Sequence, residues 1–166
     1  MTEREVLIER NQVSYEGVFN FQELVDLIKQ NGSDRGYFAI TPRHSETISE
    51  QGKYLKYNLI LDQKISDYAK INVMFEIEIR DMAEKNMEIR KKKKKMQEGK
   101  LDIFYTALFV TDYEKRFDVK PLFYFVRKLF EKYVFPSTMS QYEDKAKKDT
   151  MWIVHNIKSY LNLATR

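Results

Sequence analysis

A chain of 166 residues that is 43% hydrophobic and 33% charged, with three Pro and five Gly, has the size and apolar content for one core and is neither disordered nor fibrous. It has no Cys, which excludes disulfides, thiolate metal ligation and a cysteine nucleophile, and no stretch approaches the roughly 18 apolar residues of a membrane span. The net charge is +4, but Arg90 to Lys100 hold seven basic residues and one acidic, a local +6 that leaves the rest of the chain at −2.

The first residues, MTEREVLIER, alternate charged and apolar side chains and do not read as a secretory signal, so one cytoplasmic domain over residues 1–166 is expected. Val6 to Val18, rich in β-branched and aromatic residues, predict one long or bent strand ending near Gly17. Asn20 then predicts an N-cap with Glu23 three residues on, and Phe21, Leu24, Val25, Leu27 and Ile28 recur at helical spacing until Asn31-Gly32 stops them. The sequon Asn31-Gly32-Ser33 reads as a turn. Tyr37 to Ile40 and Arg43 to Ser49 predict two short extended runs broken by Thr41-Pro42, with a turn at Glu50-Gln51-Gly52. Tyr54 to Leu61 alternate as a half-buried strand, and the clearest period of two is Ile71, Val73, Phe75, Ile77 and Ile79.

Asp81 to Asn86 read as a polar connection, Met87 to Lys95 as a further run, and Gln97-Glu98-Gly99 as the turn into a strand from Lys100 to Thr111. There Leu101, Ile103, Tyr105, Ala107 and Phe109 share one face, and Phe104, Leu108 and Val110 make the other apolar too, which predicts a central strand covered on both sides. After a loop the period becomes helical. Pro121 suits a first turn, and Leu122, Phe125, Val126, Leu129, Phe130 and Tyr133 form one face until Pro136 ends it. Ser137 or Thr138 caps a second helix with Tyr142, Ala146, Ile153, Ile157 and Tyr160 on its inner side. The order implies an α+β fold: an antiparallel, curved sheet with one short N-terminal helix and two C-terminal helices packed on one face.

The sharpest chemical signal is the unbroken basic run Arg90, Lys91, Lys92, Lys93, Lys94 and Lys95, joined by Lys100. Clustered cations bind phosphate polymers by releasing condensed counterions, and RNA readers add exposed aromatics for stacking. Phe104, Tyr105 and Phe109 lie nearby in sequence but suit the core. Membrane binding needs an apolar face or lipid anchor beside the charge, which the sequence does not display. The plain alternative is a solvated hairpin rim, where lysines block edge-to-edge pairing.

Signals for catalysis are weaker. His155 reads as a helix-surface or packing residue and His44 has only Ser45 and Glu46 beside it, neither of which makes a triad. Glu76 and Glu78 share a strand face about 7 Å apart, a spacing more usual for a solvated surface than for acid/base work. Phosphate-cradling loops and metal-ligand motifs are missing, so no metal and no cofactor are expected. The stretch KPLFYFVRKLFEKYVF is the other unusual feature: Phe123 and Tyr124 exceed one packing stripe, and the surplus suits a ligand cavity or an oligomer interface.

The stretches VSYEGVFNFQELVDLIK (Val13 to Lys29), GKYLKYNL (Gly52 to Leu59), SDYAK (Ser66 to Lys70), TDYEKRFDVKPLFYFVRKLFEKYV (Thr111 to Val134) and IKSYLNL (Ile157 to Leu163) resemble a set of small archaeal proteins of unknown function. That resemblance carries over no site residue. The element order is similar to the helix-grip, or START-like, architecture, which implies a curved sheet wrapped around a long C-terminal helix with a cavity between them. It departs from that pattern at Pro136 and in having one helix after the first strand.

The expected function is a non-enzymatic binding or adaptor domain. An apolar aromatic groove between sheet and C-terminal helices, lined by Phe125, Leu129, Tyr105 and Phe109, would take an apolar small molecule. The basic hairpin, Arg90 through Lys95 with Lys100, would be a second contact. The alternative is an RNA- or ribosome-associated protein gripping phosphates through Lys91 to Lys95. Oligomers would form through the aromatic helix.

Overall fold

Period-two patterns become a five-stranded antiparallel sheet of order β1-β5-β4-β3-β2 in the computed structural model, which describes residues 3–49, 52–111, 129, 132 and 135–164. The elements are β1 (Glu3–Phe19), α1 (Phe21–Asp34), β2 (Phe38–Ser49), β3 (Gly52–Lys64), β4 (Ala69–Ile89), β5 (Lys92–Thr111) and α2 (Phe135–Ala164). This is the expected α+β class, with two helices among the described residues where three were expected. The helix expected over Pro121 to Tyr133 lies outside those residues, apart from Leu129 and Lys132, which are helical. Each of the four strand ladders carries a register shift. Such bulges bend a strand and raise its twist, so they curve the sheet.

The inner face is the core. Ile71, Val73, Phe75, Ile77 and Ile79 of β4, and Leu101, Ile103, Tyr105, Ala107 and Phe109 of β5, are all buried, together with Ala146, Ile153, Val154, Ile157 and Leu161 of α2. Each large side chain so buried contributes about 1.5–3 kcal/mol. β5 is central, as its two apolar faces predict, but its outer face is covered only in part: Val110 is buried while Phe104 and Leu108 are half-buried.

α1 starts where its cap requires. Asn20 Oδ1 accepts the Glu23 amide at 2.9 Å. The Glu23 carboxylate does not close a capping box but lies 3.3 Å from the Tyr160 hydroxyl, which burial and this carboxylate push up to about 12. Asn31-Gly32 does not stop the helix, contrary to the sequence reading. Gly32 stays helical against Leu61, and the stop is Gly36 at φ +86°, where the Tyr37 amide returns to Gly32 O at 2.9 Å. Likewise Thr41-Pro42 does not divide β2; the strand absorbs it as a register shift between Ile40 and Arg43. Pro136 does not precede the second C-terminal helix either. It lies inside α2, which begins at Phe135, before Ser137 and Thr138.

A polar cluster fastens α2 to the far side of the sheet. Buried Asp149 accepts Lys145 Nζ at 2.6 Å, the Tyr37 hydroxyl at 3.2 Å and Arg35 Nη1 at 3.4 Å. Lys145 Nζ also donates to Gln63 Oε1 at 2.8 Å, and the Arg35 guanidinium lies 4.3 Å from the centre of the Trp152 ring. Burial, then the negative Asp149 beside it, push the Tyr37 hydroxyl far above its ordinary range. The cluster links the end of α1, the residue before β2, the end of β3, and α2.

The basic run is where sequence and structure differ most. β4 runs unbroken through Asp81 to Asn86, and the chain reverses at Arg90-Lys91, not at Gln97-Glu98-Gly99. Ile89 faces Lys92 across a two-residue loop whose residues Arg90 and Lys91 have φ +50° and +62°. That is a type I′ turn, chosen because its twist matches the strands although neither residue suits positive φ. Gly99 lies within β5, opposite a bulge in β4 at Asp81, φ +55°. Replacing Arg90-Lys91 by Asn-Gly is therefore expected to raise stability by about 1 kcal/mol in urea denaturation, by removing left-handed strain.

Candidate functional site: the basic arm

The bulge at Asp81 sets an arm apart from the sheet. Pairing of β1 with β5 ends at Phe19 and Gln97, and pairing of β3 with β4 ends at Lys53 and Met82. Beyond these points β4 and β5 pair with each other through five further pairs, from Lys85↔Met96 to Ile89↔Lys92. At about 3.3 Å per residue the two-stranded part is roughly 17 Å long, with no other strand paired to either edge.

The base of the arm is braced. Gln97 Oε1 accepts the Phe21 amide at 2.8 Å, Asn20 Nδ2 donates to Lys95 O at 3.1 Å, and Lys94 Nζ lies 2.6 Å from Glu23. Lys95 pairs with Glu84 at 2.8 Å, Lys85 pairs with Glu98, and Lys100 with Asp81 at 3.8 Å. Lys95 holds the Glu84 carboxyl below the usual carboxylate range. Three of the seven predicted polyanion residues, Lys94, Lys95 and Lys100, are thus committed to carboxylates. The other four, Arg90, Lys91, Lys92 and Lys93, are exposed and have no ion-pair partner among the described residues. The local excess of positive charge is thereby concentrated at the tip.

Two further residues belong to this site and were not picked out from the sequence. Met87 stands opposite Lys94 and Ile89 opposite Lys92, and they are 42% and 38% exposed. Cross-strand neighbours share a face. Their alternation with Glu88 and Arg90 was the available signal, hidden by the assumption of a turn at Gly99.

The four residues expected to line an apolar groove fall in different settings. Phe125 lies outside the described residues, Leu129 is 44% exposed, and Tyr105 and Phe109 are buried in the core. His155 is exposed on α2, and His44 faces Tyr57 across the β2–β3 ladder with its side chain outside what is described.

Glu76 and Glu78 sit on the outer sheet face in a lattice of ion pairs. Arg10 Nη2 lies 2.5 Å from Glu76, and Lys56 Nζ lies 3.3 Å from Glu76 and 3.2 Å from Glu78. A hollow of about 270 Å³ opens beside them, lined by Arg10, Asn58, Ile60, Met74, Glu76 and Phe104 among others, with the Arg10 guanidinium 3.9 Å from the centre of the Phe104 ring. Asn58 Oδ1 has no hydrogen-bond partner among the described residues.

On the same face Asp102 is buried. It accepts Ser14 Oγ at 2.6 Å and Gln12 Nε2 at 2.7 Å, and Arg80 pairs with its other oxygen. Burial pushes this carboxyl up, but the Ser14, Gln12 and Arg80 hydrogen bonds together outweigh it and leave the group below its ordinary 3.8. A lowered folded value stabilises the fold above the unfolded value, and that contribution is lost as pH falls through the folded one. Wild type is therefore expected to lose more stability than Asp102→Asn on acidification from about pH 5 to about pH 2, measured by urea denaturation at each pH.

Among the described residues no group of three His, Asp or Glu side chains is placed to hold a metal ion, and no helix is long and apolar enough to cross a membrane. Neither a scan against protein-family models nor a search of curated proteins returns a match for this chain.

Proposed function

We propose that this chain is a non-enzymatic binding or adaptor domain that docks on a polyanion through the tip of its β4–β5 arm. The observation that carries the reading is the division of labour among the cations. Lys94, Lys95 and Lys100 are neutralised within the fold, while Arg90, Lys91, Lys92 and Lys93 are left unpaired at the end of a braced projection. Lysines that only protect strand edges would serve as well when paired. Holding four like charges together raises self-repulsion, which an anionic partner relieves.

We also infer a helix-grip plan, supported by the pairing of the first strand with the last and by α2 lying across the inner face after β5. In that plan an apolar groove would form between sheet and α2, and Tyr105 and Phe109 belong to the same buried cluster as the inner side of α2. A cytoplasmic setting belongs to this proposal, because a chain with no Cys gains nothing from an oxidising compartment.

The test is retention on heparin. The native chain is expected to need more salt for elution than a variant with Arg90, Lys91, Lys92 and Lys93 all changed to Gln, and equal elution of the two overturns the reading. Because these positions are exposed and unpaired, the variant should fold as the parent does.

A further inference from the structure

We propose that the polyanion is double-stranded B-form DNA and that the arm enters its major groove tip first, an inference that rests on the polyanion reading above. A two-stranded β-ribbon has strands about 4.8 Å apart and, with its side chains, fits a groove about 12 Å wide. The arm is such a ribbon: no other strand pairs with it from Lys85↔Met96 to its tip, and the Asn20 contact to its main chain ends at Lys95. Lys92 and Lys93 are consecutive in β5, so they project from opposite faces of the ribbon. With the tip in a groove, each meets the phosphates of a different wall, while Arg90 and Lys91 lead toward the base edges.

The arm's other features select among nucleic acids. No aromatic residue occurs between Asp81 and Lys100, so the arm has no platform on which single-stranded bases could stack. The major groove of an A-form RNA duplex is too narrow to admit a ribbon. Exposed Met87 and Ile89 supply apolar contact of the kind that thymine methyl groups accept. An anionic lipid surface would use this same mixed face lying flat. On that face Lys94 is tied to Glu23 of α1 at 2.6 Å, which takes one of its two lysines away from a lipid contact.

The experiment is fluorescence anisotropy of the full chain with a short DNA duplex, the same sequence as single strand and as RNA duplex, and sedimentation with vesicles of phosphatidylcholine and phosphatidylserine. DNA duplex is expected to bind about tenfold tighter than either other nucleic acid, with no vesicle binding. Lys92→Gln with Lys93→Gln should flatten the salt dependence by about 0.9 per lysine. Met87→Ser with Ile89→Ser should lower duplex affinity by about tenfold without changing that slope. Equal or tighter binding to single strand, RNA duplex or vesicles overturns the groove proposal and leaves the polyanion reading standing. Binding to none of the four overturns both.

Discussion

Replacing Asp149 by Leu is expected to lower the unfolding free energy by about 3 kcal/mol. The carboxylate is buried and takes hydrogen bonds from Lys145, Tyr37 and Arg35, so its loss strands two cations and a buried hydroxyl at once. The lower end of the range for a broken buried pair applies, because the side chains of Arg35 and Lys145 are 40% and 38% exposed and can turn to water. Tyr37 is 3% exposed and cannot. Asp149→Asn keeps the shape and one acceptor, so about half the loss is expected. Equilibrium urea unfolding of the three proteins measures this; equal stability of wild type and Asp149→Leu would mean that the cluster orders side chains without holding α2 to the sheet.

The second large effect is expected at Gly99. A Cβ there would lie 2.8 Å from Arg80 O and 3.3 Å from Met82 Cα, both backbone atoms of the bulge. Backbone in a central ladder cannot yield as a side chain does, so Gly99→Val should cost about 2–3 kcal/mol and disturb the angle at which the arm leaves the sheet. Gly32→Ala is the contrast. Its Cβ would come 2.7 Å from a methyl of the Leu61 side chain, which is fully buried and shifts at a cost, while alanine favours a helix by about 1 kcal/mol over glycine, so a net loss of about 1 kcal/mol, smaller than at Gly99, is expected. Thermal and urea unfolding compare the pair, and equal losses would contradict the role given to the bulge.

What was legible in the sequence follows from what is local. Alternation in Ile71 to Ile79 and Leu101 to Phe109 identified the inner face because one strand's period reports its burial. The Asn20 cap was legible for the same reason, as cap and first turn lie within three residues. The reversal at Arg90-Lys91 was not legible, since neither residue favours positive φ and Gly99 nearby offered an ordinary turn signal. Sheet register decided there: pairing from Ala69↔Thr111 to Ile89↔Lys92 leaves two residues for the loop. The Asp149 cluster was equally hidden. Lys145 and Asp149 are a legible helical pair, but Arg35 and Tyr37 come to them only through the fold.

The site was half legible. The charge was plain, and its concentration among six adjacent residues marked the hairpin, but its tip was expected at Gly99 and not within the run. Which lysines remain free was not legible, because Glu23 and Glu84 reach Lys94 and Lys95 from other strands and from α1.

The most direct test of the account is the salt dependence of binding to a short nucleic-acid duplex, with wild type compared to the variant in which Arg90, Lys91, Lys92 and Lys93 are all Gln. Two phosphate contacts, made by Lys92 and Lys93, predict a slope of log K against log salt of about −1.8 for wild type, and a slope near zero for the variant. The same steep slope in both proteins, or no binding by wild type at low salt, would contradict it.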